Sequence, residues 1–323
     1  MECTLCPHAC VLGEGDRGWC RTRVVKGGAL HTVAYGNLCA HAVDPIEKKP
    51  LYHFLPQSPI VSVAMGGCNL RCSNCQNWQI SQAMPEDVQR FSMAPRELVQ
   101  RTLHSGAPSI AYTYTEPMVW FEYVRDTAQL AKEAGIKNVL VTAGYVNPAP
   151  LRELARLVDA VQLDVKAFDD RGYQRMAKAR LDPVLRSLLL LKDEGVWVEV
   201  SFLMVSELTD EPAQVAAFAR WVVSNLGVDV PLHLLRFHPA HRLTHLPPTP
   251  LALLQQAWEA AKAAGLRYVY LGNVPGVGGG TTRCPNDGEL LVDRRGFQVV
   301  ANHLRGGTCP HCGTRIAGVF QES

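Results

Sequence analysis

The chain carries almost no excess of charge: 32 basic residues stand against 30 acidic ones, a formal net of +2 over 323 residues. That balance removes the electrostatic case for a nucleic-acid or membrane partner, although it leaves room for a local patch. Long apolar runs are also missing, and no uninterrupted stretch would fill a membrane helix. The start, Met1-Glu2-Cys3-Thr4-Leu5-Cys6-Pro7-His8, has no basic segment leading into an apolar one, so it does not read as a secretion signal. Disorder is excluded as well, because 47% of the residues are hydrophobic and only 19% charged. What is plentiful is cysteine. There are 11, in the clusters 3/6/10/20, 68/72/75 and 284/309/312, with Cys39 alone. Tight clusters without an export signal read as metal ligands in a reducing cytoplasm, not as a disulfide framework. The expected location is therefore cytoplasmic.

The middle cluster is the most informative. Cys68, Cys72 and Cys75 are spaced C-x3-C-x2-C, with no fourth cysteine nearby. A cubane iron–sulfur cluster takes four thiolates, one per iron, so three leave one iron open to a small molecule. The competing readings are a fragment of a zinc site, which would want four ligands in paired steps, and inert buried thiols. The context favours the cluster. Residues 59–65 are short, apolar and β-branched, as in a buried strand. Gly66-Gly67 then allows a tight loop, the kind of place where a rigid scaffold carries its chemistry. The run from Ala64 to Trp78 resembles the radical S-adenosylmethionine (SAM) superfamily. There the amino and carboxylate groups of SAM chelate the open iron.

From about residue 59 to 273, short apolar runs alternate with helical ones. Strands are expected at 60–65, 109–114, 138–142, 160–166, 196–204, 232–237 and 268–271. Pro117 opens a helix that ends before Gly135, and Asp210 and Pro212 open another that stops at Gly227. The stripes Val215/Phe218/Val222/Leu226 and Leu251/Leu254/Trp258/Ala261 read as core packing. This alternation predicts an α/β fold with a parallel sheet and right-handed crossovers. With six or seven units it falls short of a full barrel, so a partial (β/α)6 barrel is expected, as the resemblance also implies. The expected division is a Cys-rich N-terminal extension at 1–56, a core at 57–275 and a zinc-ribbon-like tail at 276–323. The glycine run at 276–280 does not fit a phosphate-binding pattern and reads as a mobile loop leaving the barrel.

Ligands of parallel sheets collect at the C-terminal strand ends. The second strand ends in Tyr112-Thr113-Tyr114-Thr115-Glu116-Pro117, and Glu116 is either an acceptor for an ammonium group or a helix cap. The run resembles the YTEP sequence of glycyl-radical activating enzymes, which implies that the Thr115–Glu116 segment bonds the SAM amino group. On the fourth strand, Asp164 and Lys166 share one face and are costly there unless paired with each other or with a ligand. Their resemblance to the DLK run of the activating enzymes implies a place at SAM, while a plain rim salt bridge is the alternative. Ser201 faces inward on the fifth strand, as a contact for the SAM ribose or carboxylate. His238, before Pro239, is an acid–base group, a ligand contact or a hydrogen-bonded rim histidine.

Both ends offer further metal sites. Cys3, Cys6, Cys10 and Cys20 are a full set for zinc or a second iron–sulfur cluster. In the tail, Cys284-Pro-Asn-Asp287 and Cys309-Pro-His-Cys312 form two knuckles in which Asp287 takes the place of a fourth cysteine. The segments 3–10, 44–56, 75–82 and these knuckles resemble the AmmeMemoRadiSam-system radical SAM enzymes, relatives of pyruvate formate-lyase activating enzymes. The departure is Asp287, where that pattern expects cysteine. The resemblance implies reductive cleavage of SAM at a [4Fe–4S] cluster to a 5′-deoxyadenosyl radical that acts on an unidentified substrate. It also implies a flavodoxin- or ferredoxin-like electron donor, with AMMECR- and Memo-type proteins as partners. The alternatives are a glycyl-radical activase acting on a partner protein, and a non-enzymatic iron–sulfur or zinc protein.

Overall fold

Residues 60–65 are buried on both faces of their strand, which explains why the run is continuously apolar instead of alternating. In the computed structural model, which describes residues 1–276 and 278–321, the chain opens with β1 (Arg23–Lys26), β2 (Ala29–Thr32), β3 (Asn37–Pro45) and β4 (Pro59–Met65). The short α1 (Trp78–Ser81) and β5 (Phe91–Ser92) follow. Regular alternation then begins: α2 (Pro95–Ser105), β6 (Ser109–Tyr112), α3 (Phe121–Glu133), β7 (Lys137–Thr142), α4 (Pro148–Ala155) and β8 (Ala160–Val165). It continues with α5 (Asp170–Ala177), α6 (Leu181–Asp193), β9 (Trp197–Met204), α7 (Pro212–Asn225), β10 (Leu232–Arg236), α8 (Leu251–Ala263) and β11 (Val269–Gly272). The tail adds β12 (Thr282–Arg283), β13 (Leu290–Arg295) and β14 (Gln298–Asn302).

The main sheet runs β11-β10-β9-β8-β7-β6-β4-β3-β5. From β4 to β11 its strands are parallel, and each successive pair is joined by a helical crossover. This is the expected α/β architecture: six β/α units and a closing strand, open at β11. All seven expected strands form, with ends displaced by one or two residues.

Three local expectations need correction. The segment at 37–45 lies in the region read as loop from its Cys, Gly and His content, yet it forms β3, antiparallel to β4 along nearly its whole length. Pairing to a buried neighbour overrides weak propensity. The cap of α7 is Glu211 and not Asp210, with Pro212 at the first turn as expected. In α8 the buried face is Leu254, Ala257 and Ala261, while Leu251 is exposed. Val277, inside the glycine run at 276–280, lies outside the described residues.

A buried polar network ties the two extensions to the barrel. Glu199 on β9 accepts hydrogen bonds from Tyr52 N (2.9 Å), His53 N (2.8 Å), His233 Nε2 (2.7 Å) and Trp197 Nε1 (3.2 Å). The His53 ring sits between the Ala317 carbonyl (2.7 Å) and the Tyr270 hydroxyl (2.6 Å), and burial pushes its pKa down to about 4. Arg294 of β13 donates to Tyr52 O and Thr282 Oγ1, both at 2.8 Å. Residues 53–55 and 317–319 therefore cross beneath the barrel as one hydrogen-bonded unit.

Candidate active site

The cysteine loop leaves the C-terminal end of β4, where loops of parallel sheets carry function. Gly67 has φ of 97°, and a Cβ there would lie 2.7 Å from the carbonyl oxygen of Cys20, so only glycine lets the N-terminal knot close on the loop. The loop's backbone is held from outside by Arg71 N to Ala177 O (2.9 Å), Ser73 N to Met176 O (2.8 Å) and Arg242 N to Ser73 O (3.0 Å). From inside, the buried Asn69 amide donates to Tyr145 O (2.7 Å) and Asn77 Nδ2 to Tyr114 O (2.9 Å). The thiols thus sit on a frame fixed independently of any ligand.

The donor chemistry fits an iron–sulfur cluster. Burial pushes the Cys68 thiol well above its ordinary pKa, with Glu116 and Cys72 adding to the shift. Cys72 is raised to about 11 by burial, against the pull of Lys166. A bound cation offsets such a shift and favours the thiolate. Leu70 N donates to Cys68 Sγ (3.4 Å), and Ser81 Oγ lies 3.2 Å from Cys75 Sγ, contacts of the type that tune cluster sulfurs. Among the described residues, the triad is not gathered into single-ion spacing.

The strand-end candidates converge on this loop, but largely on one another. Glu116 is buried and accepts from Met118 N (3.2 Å), Thr142 Oγ1 (2.6 Å) and Ala143 N (2.9 Å), so it caps the turn at Pro117–Trp120 and clamps the end of β7. Burial nevertheless raises its pKa. The Thr115 hydroxyl is turned back to Met65 O (2.8 Å). Asp164 pairs with Lys166 Nζ (3.1 Å) and accepts from Gln162 Nε2 (3.2 Å) and Ser201 Oγ. Burial would raise the Asp164 pKa, but the Lys166 charge and these hydrogen bonds outweigh it and the pKa falls. Asp164 and Ser201 are direct cross-strand partners, which is why they meet. His238 stands 3.1 Å from the Asn273 carbonyl, at the ends of β10 and β11.

One cluster was not anticipated from the sequence. Asp44 accepts from Lys48 (2.8 Å), Lys49 (2.7 Å) and the Tyr114 hydroxyl (2.5 Å), and Lys49 also lies 4.6 Å from the Tyr114 ring centre. Tyr114 holds a φ of 63°, unusual for a bulky residue. The signal was present: Asp44 lies four and five residues before Lys48 and Lys49.

At the N-terminus, Cys3, Cys6 and Cys20 are buried and Cys10 is half-buried. Burial raises Cys3 and Cys6, and the nearby Cys20 adds to both shifts. These four are not within single-ion spacing either. The tail is different. Ligand atoms of Cys284, Asp287, Cys309 and Cys312 all lie within 4.8 Å of one another. The Cys284 and Cys312 sulfurs are 3.6 Å apart, close to the S···S separation of about 3.8 Å that tetrahedral zinc imposes. Each knuckle closes in the same way: Gly288 N bonds Cys284 O and Gly313 N bonds Cys309 O, both at 3.0 Å, with both glycines at positive φ. His311 Nδ1 lies 2.8 Å from Asp287 Oδ2, and its hydrogen bond holds the Asp287 carboxyl below the usual range.

A family profile described as the radical SAM superfamily matches residues 62–219. An uncharacterised protein of Methanocaldococcus jannaschii is 44% identical over 318 residues, covering 98% of this chain and 95% of its own. The pyruvate formate-lyase-activating enzyme of Clostridium pasteurianum is 28% identical over 185 residues, covering 53% of this chain and 72% of its own. Among solved structures, Streptococcus suis SuiB bound to S-adenosylmethionine superposes with a TM-score of 0.51 at 13% identity, covering 70% of this chain and 52% of SuiB. That likeness is one of fold.

Proposed function

Because a radical SAM superfamily model matches residues 62–219, we propose that the chain cleaves SAM reductively and turns the product radical on a substrate held at the C-terminal face of the barrel. Members of the superfamily are enzymes that bind a [4Fe–4S] cluster and SAM. In this reading Cys68, Cys72 and Cys75 hold the cluster. When bound and reduced, it supplies the electron that breaks the sulfonium bond to the 5′ carbon, leaving methionine and a 5′-deoxyadenosyl radical. The protein positions and shields. Glu116 shapes the wall beside Cys68, and its remaining acceptor capacity is available to an ammonium group. The Asp164–Lys166 pair, braced by Ser201, presents fixed charge to the zwitterionic end of SAM, and Thr115 and His238 are assigned to the same ligand from the ends of their own strands. The observation that carries this reading is placement: the cysteine loop follows β4, and Glu116 and the Asp164–Lys166 pair stand at the same ends of the parallel strands β6 and β8. An electron carrier would have no use for that arrangement.

The test is direct. Anaerobically reconstituted protein, reduced with dithionite and given SAM, is expected to form 5′-deoxyadenosine and methionine in equal amounts. Intact SAM in the presence of a full, reduced cluster would reject the reading. A glycyl-radical activase is the second reading, favoured by the identity with the activating enzyme of C. pasteurianum. It would be seen as a SAM-dependent radical signal on a partner protein.

We assign the finer branch to the AmmeMemoRadiSam system on the resemblance of residues 3–10, 44–56 and 75–82. AMMECR- and Memo-type partners, a flavodoxin- or ferredoxin-like donor and a cytoplasmic location belong to that proposal. Among the described residues no helix is long and apolar enough to cross a membrane. Residues 57–275 carry the chemistry in this reading, with 1–56 and 276–323 as extensions. The N-terminal four cysteines, which are not in single-ion spacing, are assigned a second iron–sulfur cluster rather than zinc.

The tail is proposed to hold one zinc ion on Cys284, Cys309, Cys312 and Asp287, with His311 orienting the carboxylate. Relative to wild type, Cys309→Ser is expected to lose one equivalent of zinc. Asp287→Ala should weaken binding roughly tenfold or more, and Asp287→Cys should slow release to a chelator. Equal zinc content in wild type and Cys309→Ser would dismiss the site.

A further inference from the structure

An open cleft of about 670 Å³ lies against the outer side of the cysteine loop. Four cations line it: Arg21 of the N-terminal knot, Arg71 from between Cys68 and Cys72, Lys178 just after α5, and Arg242 from the loop after β10. No carboxylate shares the lining, and among the described residues none of the four is in an ion pair. The chain as a whole carries only +2, so this concentration is local.

The cations are crowded at some cost. Arg71 is pinned by the carbonyls of Cys68 (2.8 Å), Leu70 (2.9 Å) and Trp19, and stacks 4.5 Å from the Trp19 ring centre. Arg21 Nη1 is buried and has no hydrogen-bond partner. Lys178 sits at a φ of 57°, a strained cap for a lysine. A guanidinium nitrogen without an acceptor is unfavourable, and the rest of the part-exposed Arg21 head is open to the cleft. Across the cleft, Trp78 is half exposed and stacks 5.2 Å from His241, leaving its other face free for a planar group.

We propose that this cleft binds a small organic phosphate, its phosphate oxygens held by Arg21, Arg242 and Lys178 and its ring laid against Trp78. Guanidinium forks match phosphate oxygens in pairs, which a point charge cannot do. The volume suits a ligand of nucleotide size. A long nucleic-acid strand is the less fitting occupant, because the positive charge is confined to one cleft of a nearly neutral chain. As an anion site the proposal stands on these residues alone.

The experiment titrates the reconstituted full chain with inorganic pyrophosphate and with ADP at physiological ionic strength, by calorimetry and tryptophan fluorescence. Saturable binding near one equivalent is expected, with ADP the tighter and the stronger quencher. Arg242→Ala and Lys178→Ala, both on exposed side chains, should each weaken it roughly tenfold or more with melting temperatures held. Absence of binding at millimolar ligand, or equal binding by folded variants, overturns the proposal. Tighter binding of a single-stranded RNA dodecamer than of either small probe overturns it in favour of nucleic acid. SAM cleavage is measured on the same wild-type preparation. Cleavage without probe binding removes the anion site and keeps the SAM chemistry, whereas binding without cleavage keeps the anion site and removes the SAM chemistry.

Discussion

Single replacement of Cys68, Cys72 or Cys75 by alanine is expected to abolish 5′-deoxyadenosine formation and to leave the core cluster absent or labile after anaerobic reconstitution. Three thiolates already leave one iron open, and a fourth ligand cannot be recruited locally. Cys39 bonds the Ala64 carbonyl (3.5 Å) on β3, and the knot cysteines are enclosed in their own turn. Losing one more thiolate exposes a second iron to solvent or to adventitious ligands. The loop itself should survive, because its frame is built from backbone bonds and from Asn69 and Asn77, not from the sulfurs. Iron content, visible absorbance and product yield should therefore fall together while the melting temperature of the apoprotein changes little. A variant that kept a full cluster and normal turnover would remove that cysteine from the ligand set.

The largest effect on stability should come from Glu199. Glu199→Ala leaves His233, Trp197 Nε1 and two backbone N–H groups without an acceptor in a fully buried site. Burial would raise the pKa of this carboxyl, but the His233 hydrogen bond and charge outweigh it and the pKa falls, so the group is ionised and engaged. Removing one partner of such a buried network costs about 3–5 kcal/mol. Chemical denaturation should show that loss, and Glu199→Gln, which keeps the shape and one acceptor, should lose less. Because Tyr52 and His53 hang from this carboxylate, proteolysis near residues 50–57 and in the tail should also accelerate in the alanine variant. An unchanged denaturation midpoint would mean that water or a rearranged partner satisfies the four donors.

The placement of the candidate residues at strand ends was legible in the sequence, and the reason is local. Three thiolates within eight residues, a glycine pair after an apolar run, and charged residues two apart at a strand end are short-range patterns, and strand geometry converts them directly into position. Asp164 and Lys166 share a face because alternate residues must. The roles of these residues were less legible. Glu116 was open to both ligand binding and capping, and the cap became visible only when Thr142 and Ala143, on the next strand, came to meet it. The pairing of Asp164 with Ser201 likewise depends on the register of β8 against β9.

The sequence by itself determined the order of strands and helices, the cysteine sets and the candidate strand-end residues, since periodicity and spacing act over a few residues. Only the tertiary structure decided that residues 37–45 join the sheet, that His53 meets Ala317, that Asp287 turns toward Cys284, Cys309 and Cys312, and that Arg21, Arg71, Lys178 and Arg242 face one cleft. Those contacts join groups tens to hundreds of residues apart. Their loop-closure entropy is offset by burial of the whole core and not by any local preference, so no window of sequence contains them.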